Sequence, residues 1–312
     1  MPKITVIGAG NVGATCANVL AHRNIVKEIV LVDVKPGVAE GKALDIWQTS
    51  SINKFDTQVV GVTDDYAKTE NSNIVIITSG IPRGPGMSRD DLIKTNAGIV
   101  KSVTEKAVEA SPNAVIIVVS NPLDVMTYAA QLASGKSNQK VFGQAGILDT
   151  GRYNAFIAEA LDVSPNDVRS ILLGGHGDTM VPLPRLTTVG GVPLNKLMDD
   201  ATSEAIVQRA RVGGGEIVKL LGTSAWYAPG AAASLMAEAV LTDKKKVVPV
   251  SIRLDGEYGL RDVYLGVPVV LGKDGIEKVI ELDLTQDELD LLHKSADAVK
   301  SVMKVLDDMN LF

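Results

Sequence analysis

The chain has 312 residues, 46% of them hydrophobic, which excludes a disordered or collagen-like protein and leaves room for two domains of about 150 residues each. Its 31 basic and 37 acidic residues are mixed along the sequence and leave a net charge of −6, which argues against a nucleic-acid partner. A single cysteine, Cys16, allows no intramolecular disulfide and points to a reducing compartment, and no Cys/His group has zinc-type spacing, so no metal is expected.

Short β-branched runs at 4–7, 29–34, 74–78 and 115–119 predict fully buried strands. The first of them starts at once, with no charged leader or cleavage site, and no run approaches the ~18 apolar residues of a membrane span; a cytoplasmic protein without a membrane partner is expected. Helical periodicity lies between the strands, at 12–20 and again after Ser88, where Leu92, Asn96, Ile99, Val103 and Ala107 share a face. Ser88 and Asp91 have the spacing of a capping box. Strands alternating with helices predict βαβ units, hence an α/β, doubly wound parallel sheet over 1–145.

Past residue 145 the alternation fades, and 146–312 reads as a second, α+β domain. A helix there carries Tyr153, Phe156, Ile157, Ala160 and Leu161 on one face. In a longer helical region Gly213, Gly214 and Gly215 predict a kink or a break. Strand-like runs follow at 247–252 and 267–271, then a terminal helix from Thr285 with Leu289, Leu292, Ala296, Val299, Met303 and Leu306 facing inward. The basic run 244–246 reads as a solvated loop. Without a repeat or a low-complexity linker, the two halves are expected to pack closely.

Gly8, Ala9, Gly10, Asn11, Val12 and Gly13 follow the first strand and open the first helix, the context a G-x-G-x-x-G dinucleotide fingerprint requires. The first glycine permits the tight turn, the second lets backbone approach the pyrophosphate, and the third allows close helix-to-strand contact. Asp33 ends the second strand twenty residues after Gly13, where its carboxylate can accept from both ribose hydroxyls and would repel a 2′-phosphate. These features predict a Rossmann domain that prefers NAD to NADP. FAD enzymes share the fingerprint, and a glycine turn with an acid at a strand end would look the same, so the rest of the chain must decide.

Three further motifs end or follow apolar runs: Ser120-Asn121-Pro122, Leu148-Asp149 with Arg152, and Gly174-Gly175-His176-Gly177-Asp178. Ligands in such sheets bind beyond the carboxyl ends of the strands, so Gly10, Asp33, Gly80 and Asn121 should line one crevice. Of the three histidines, His22 and His293 lie on helices and read as structural or solvated. His176, between glycines, suits general acid–base work near its ordinary pKa of ~6.5, although a structural histidine fits the same residues.

Together with Gly80-Ile81-Pro82-Arg83 and Ser88-Arg89, these motifs resemble the lactate/malate dehydrogenase family, within it malate dehydrogenases of the lactate-dehydrogenase-like type, and the resemblance covers essentially the whole chain. The resemblance implies NAD as cofactor, a small-molecule dicarboxylate as substrate, and a homodimer or homotetramer. It implies that Asp149 orients His176, that Arg152 pairs with the substrate C1 carboxylate, that Arg89 polarises the keto oxygen, and that Asn121 hydrogen-bonds the substrate. It also implies that Asn96, Val119, Ser120 and Asn121 touch the cofactor; an ordinary polar residue on a helix face would account for Asn96 as well. The Gly- and Pro-rich stretch 80–88 reads as a lid. A second substrate carboxylate closed under it without a cation would strand a charge at a cost of several kcal/mol, which gives Arg83 the discriminating role. Ala225 matches a position near the substrate end. Beside this resemblance stand three alternatives: a lactate or other 2-hydroxyacid dehydrogenase, a nucleotide-binding module without catalysis, and a glycosidase-like relative in the family that keeps NAD and uses a metal.

Overall fold

The computed structural model describes residues 2–82 and 88–312, and of Arg89 the backbone alone. Strands Lys3–Ile7 (β1), Glu28–Asp33 (β2), Gln58–Thr63 (β3), Ile74–Ile77 (β4), Val115–Val118 (β5) and Val141–Gly143 (β6) run parallel in the order β3-β2-β1-β4-β5-β6. Helices cover both faces, so β4 and β5 are buried at every position, and this is why their sequences show no alternation. Two of the six strands escape the apolar-run criterion. β3 is an edge strand with an exposed Gln58, and β6 is only three residues long. Val34, read as part of the second strand, lies past its end and is 73% exposed.

The first half also folds helices Asn11–Arg23 (α1), Val38–Gln48 (α2), Ser50–Asn53 (α3), Arg89–Ala110 (α4) and Leu123–Ser134 (α5). α4 starts as its sequence predicts: Ser88 Oγ accepts the Asp91 N–H at 3.0 Å, and the Asp91 carboxylate accepts the Ser88 N–H at 3.2 Å. Its buried stripe is Ile93, Asn96, Ala97, Val100, Val103 and Ala107. Leu92 and Ile99 are only half-buried at the stripe's border, because periodicity locates a helix face to about one residue and packing against neighbouring helices decides the rest.

The second half contributes Gly146–Leu161 (α6), the two-residue strands Val168–Arg169 (β7), Leu172–Leu173 (β8), Val181–Pro182 (β9), Thr188–Val189 (β10) and Val192–Pro193 (β11), then Asp200–Leu221 (α7), Tyr227–Leu241 (α8), Lys246–Asp255 (β12), Arg261–Gly272 (β13), Gly275–Val279 (β14) and Gln286–Asp307 (α9). β12, β13 and β14 are antiparallel and join β6 through the pair Ser251 and Gly143, so one nine-stranded sheet crosses both halves. α8 lies on α1 so closely that a Cβ on Gly230 would stand 2.8 Å from Thr15 Cβ. Cys16 is sealed in that contact, and burial pushes its thiol up to about 11, so it is an inert core residue.

α7 corrects the expected kink. It runs unbroken for 22 residues through Gly213, Gly214 and Gly215. A Cβ on Gly213 would sit 2.4 Å from Arg152 Cδ, so this glycine makes room for a side chain of α6. On α6 itself Tyr153 and Ile157 are buried as predicted, but Ala160 is exposed and Ala158 takes its place in the core. α9 opens with a capping box between Thr285 and Glu288 and buries Leu292, Ala296, Val299, Met303 and Leu306, with Ser295 and Val302 added.

Candidate active site

The carboxyl ends of β1, β2, β4 and β5 form one crest, stitched by glycine contacts and by neutral and charged side chains. Gly8 has φ +102°, and a Cβ there would lie 2.8 Å from Thr78 Oγ1 and 2.9 Å from the Ser79 nitrogen, so only glycine lets the turn after β1 approach the end of β4. Thr78 Oγ1 donates to the Gly8 carbonyl at 2.9 Å. A Cβ on Gly13 would fall 1.9 Å from the Gly8 carbonyl oxygen, which is the close helix-to-turn contact expected of the third glycine. Gly10 is different: a Cβ would meet nothing within 4 Å, and α1 begins there without a side-chain cap. Its open backbone and the free N–H groups of the first turn fit a pyrophosphate.

Asp33 Oδ2 accepts the Ala9 N–H at 2.7 Å, and Oδ1 accepts the Lys35 N–H at 2.9 Å, so the carboxylate expected at the adenosine ribose is held against the fingerprint loop. Lys42, which sequence reasoning did not single out, donates from α2 to the Ala9 carbonyl at 2.8 Å. Asn96 is buried, not a solvated helix residue. Its Oδ1 accepts the Ile81 N–H at 2.9 Å and its Nδ2 donates to the Asn121 carbonyl at 2.7 Å, clamping the segment after β4 to the segment after β5. Ser120 ties the same two segments by donating to the Ser79 carbonyl, and Val119 donates to the Ile77 carbonyl at 2.8 Å. Asn121 beyond them is exposed and lines a cavity of about 440 Å³ that also holds His176, Asp178, Val299 and Val302.

His176 follows the β8 strand in a loop where Gly174 and Gly177 have φ of +89° and +117°. Its Nδ1 meets Asp149 Oδ2 at 2.9 Å, and Asp149 Oδ1 accepts from Arg152 at 3.3 Å. The carboxylate thus bridges the ring and the guanidinium. Asp149 and Arg152, three apart, lie inside α6 rather than ahead of it, and their side chains are 3% and 11% exposed. His176 keeps 19% of its side chain exposed and borders the cavity, and its Nε2 makes no hydrogen bond among the described residues. Burial pushes the imidazolium pKa down, but the charge and hydrogen bond of Asp149, with Asp124 behind, outweigh it and leave the pKa above the ordinary 6.5.

Arg152 borders a neighbouring apolar groove of about 530 Å³ together with Leu148, Gly213 and Ala225, so Asp149 stands between that groove and the His176 cavity. Arg83 and the heart of the expected lid, 83–87, lie outside the described residues, as does the Arg89 side chain; the Arg89 backbone opens α4. His22 Nδ1 donates to the Asn18 carbonyl at 2.7 Å and packs on Phe55, and His293 Nε2 donates to the Tyr258 carbonyl at 2.9 Å; both are structural. Sequence reasoning missed Asp124, whose carboxylate accepts the His176 backbone N–H at 3.0 Å. An acid in the first turn of a helix reads as an ordinary dipole partner, and nothing local marks this one as buried. No helix is long and apolar enough to cross a membrane, and no group of three His, Cys, Asp or Glu could hold a metal ion among the described residues.

A nucleotide-shaped crest facing a carboxylate-bound imidazole defines an NAD-dependent oxidoreductase, and comparison with known proteins narrows the class. Residues 2–143 match the model of the lactate/malate dehydrogenase NAD binding domain, and residues 147–309 that of the lactate/malate dehydrogenase alpha/beta C-terminal domain. The chain belongs to the lactate/malate dehydrogenase family. It is 62% identical over 307 residues to the malate dehydrogenase of Cytophaga hutchinsonii, spanning 98% of each chain. The solved malate dehydrogenase of Salinibacter ruber matches with a TM-score of 0.95 at 56% identity, covering 98% of both chains. A lactate dehydrogenase of Cryptosporidium parvum, complexed with lactic acid and β-nicotinamide adenine dinucleotide, matches with a TM-score of 0.94 at 42% identity over 98% of both. The overall shape is therefore common to both substrate classes.

Proposed function

We propose that the chain catalyses the reversible, NAD-dependent oxidation of (S)-malate to oxaloacetate, with His176 as the proton-transferring group. The observation that carries this reading is the 2.9 Å pair of His176 Nδ1 and Asp149, which leaves Nε2 free at the cavity wall beside Asn121. NAD, held by Gly8 to Gly13 and Asp33 with Val119 and Ser120 behind, supplies the hydride chemistry when bound. In oxidation His176 Nε2 takes the substrate hydroxyl proton; in reduction the imidazolium returns it to the carbonyl oxygen. Asp149 fixes the ring tautomer and offsets the imidazolium charge. Asn121 donates to the substrate oxygen, Arg152 pairs with the C1 carboxylate, and Arg89 stabilises the developing alkoxide. Asn96 serves the cofactor site through the backbone it clamps, since its amide is already engaged.

Arg83 meets the second carboxylate and selects malate over lactate. Identity of 62% to a malate dehydrogenase across 98% of both chains supports malate as the substrate. The test is NADH oxidation with oxaloacetate and with pyruvate. Wild type is expected to prefer oxaloacetate, and Arg83→Gln to lose about 100-fold or more of that preference in kcat/KM. An unchanged ratio in Arg83→Gln removes it from the selective role, and a wild-type preference for pyruvate turns the reading to a lactate dehydrogenase.

We further propose that 1–145 binds the cofactor and 146–312 the substrate, that the protein is cytoplasmic, and that it assembles as a homodimer or homotetramer. Leu220 and Leu221 on α7, 77% and 56% exposed beside the apolar groove, support an oligomer, since a monomer would leave them in water. Light scattering behind a sizing column checks it.

A further inference from the structure

Three elements, α5, β12 and α9, converge behind His176. Asp124, in the first turn of α5 and three residues past Asn121, is buried. One carboxylate oxygen accepts the His176 backbone N–H at 3.0 Å, and the other accepts the Ser251 hydroxyl of β12 at 2.7 Å. One residue earlier, the Gly175 N–H donates to Ser295 Oγ of α9 at 2.8 Å. A Cβ on Gly175 would lie 2.7 Å from Val299 Cγ2 and 3.4 Å from the Asp124 carboxylate, so a larger residue would push the loop off these partners. The loop itself supplies little rigidity. β8 is two residues long, and the left-handed backbone of Gly174 and Gly177 brackets the histidine. What fixes the peptide in space is the set of side chains that grip its N–H groups.

We propose that Asp124 is a positioning residue: its carboxylate pins the His176 peptide to the segment carrying Asn121, so that the proton-transferring ring and the substrate-facing amide keep one register. Asp149 sets the rotation of the ring; Asp124 sets where the ring stands. The inference rests on His176 being the proton-transferring group. Burying a carboxylate is costly, and here burial drives its pKa above the ordinary range against the pull of Ser251 and the His176 N–H. A neutral acceptor would bond the same N–H at lower cost; the carboxylate, when ionised, also favours the imidazolium. Among the described residues the titratable groups facing Asp124 are His176 and Asp149.

The experiment compares Asp124→Ala and Asp124→Asn with wild type and His176→Asn, reading NADH affinity, KM and kcat for oxaloacetate, and the pH profile of reduction. Asp124→Ala is expected to keep NADH affinity and KM near wild type while kcat falls about 10- to 100-fold, the scale of a misplaced catalytic group. Asp124→Asn, which keeps an acceptor for the His176 N–H, should recover most of kcat. Its falling limb should move to lower pH because a negative charge near the imidazolium is gone. Wild-type kcat in Asp124→Ala, or an Asp124→Asn variant as slow as Asp124→Ala, overturns the proposal. If Asp124→Ala does not fold, Ser251→Ala is read in the same assays: several-fold lower kcat at unchanged KM upholds the proposal, and wild-type kcat overturns it. Turnover in His176→Asn would instead bring down the reading of His176 itself.

Discussion

The two halves of the site are held in place by different means. Around the fingerprint loop the strands of the parallel sheet do the positioning; Thr78, Ser120 and Asn96 tie neighbouring strand ends together with neutral hydrogen bonds, and the charged groups that hold Ala9, those of Asp33 and Lys42, are only half-buried. Around His176 the strands are two residues long, and a buried carboxylate grips the ring while another grips the peptide. A regular sheet delivers backbone groups to a ligand without buried charge. A loop that must deliver a proton-transferring side chain relies on charged tethers, which also tune that side chain.

That contrast is sharpened most by Asp149→Asn. Loss of the charge should lower kcat by about 100-fold or more, since general acid–base catalysis is worth 10² to 10⁴. The sign of the pH effect follows from the raised His176 pKa. Oxaloacetate reduction needs the imidazolium, so activity is present below that pKa and is lost as pH rises through it; without the Asp149 charge the limb moves to lower pH. An unmoved limb would break the distinction between the two regions.

A smaller effect is expected from Gly213→Ala. The new Cβ would stand 2.4 Å from Arg152 Cδ and displace the guanidinium from Asp149. KM for oxaloacetate should rise about tenfold, with kcat changed less, if Arg152 anchors the C1 carboxylate. Steady-state kinetics checks the split.

Thr78→Ala should do least. It removes one neutral stitch and leaves the sheet intact, so stability should fall by about 1 kcal/mol in denaturant titration, NADH binding should weaken slightly, and kcat should stand.

Much of the crest was readable in advance because its chemistry is local. The glycines, the strand before them, the helix after them and Asp33 occupy one stretch of chain, and each obeys a short-range rule. The capping box at Ser88 was readable for the same reason. What escaped depends on distant partners. Asp124 is an unremarked acid until β12 and α9 fold beside it, and the glycines at 213–215 read as a break because nothing nearby in sequence reveals Arg152 lying against Gly213. β3 and β6 were missed because an edge strand and a three-residue strand carry too few apolar residues to stand out.

Proton transfer by His176 is probed by His176→Asn, with NADH binding and oxaloacetate turnover measured on the same sample. The variant should keep wild-type NADH affinity, since the crest does not depend on His176, and lose about 10³-fold or more of turnover. Near-normal turnover with intact NADH binding would contradict proton transfer by His176.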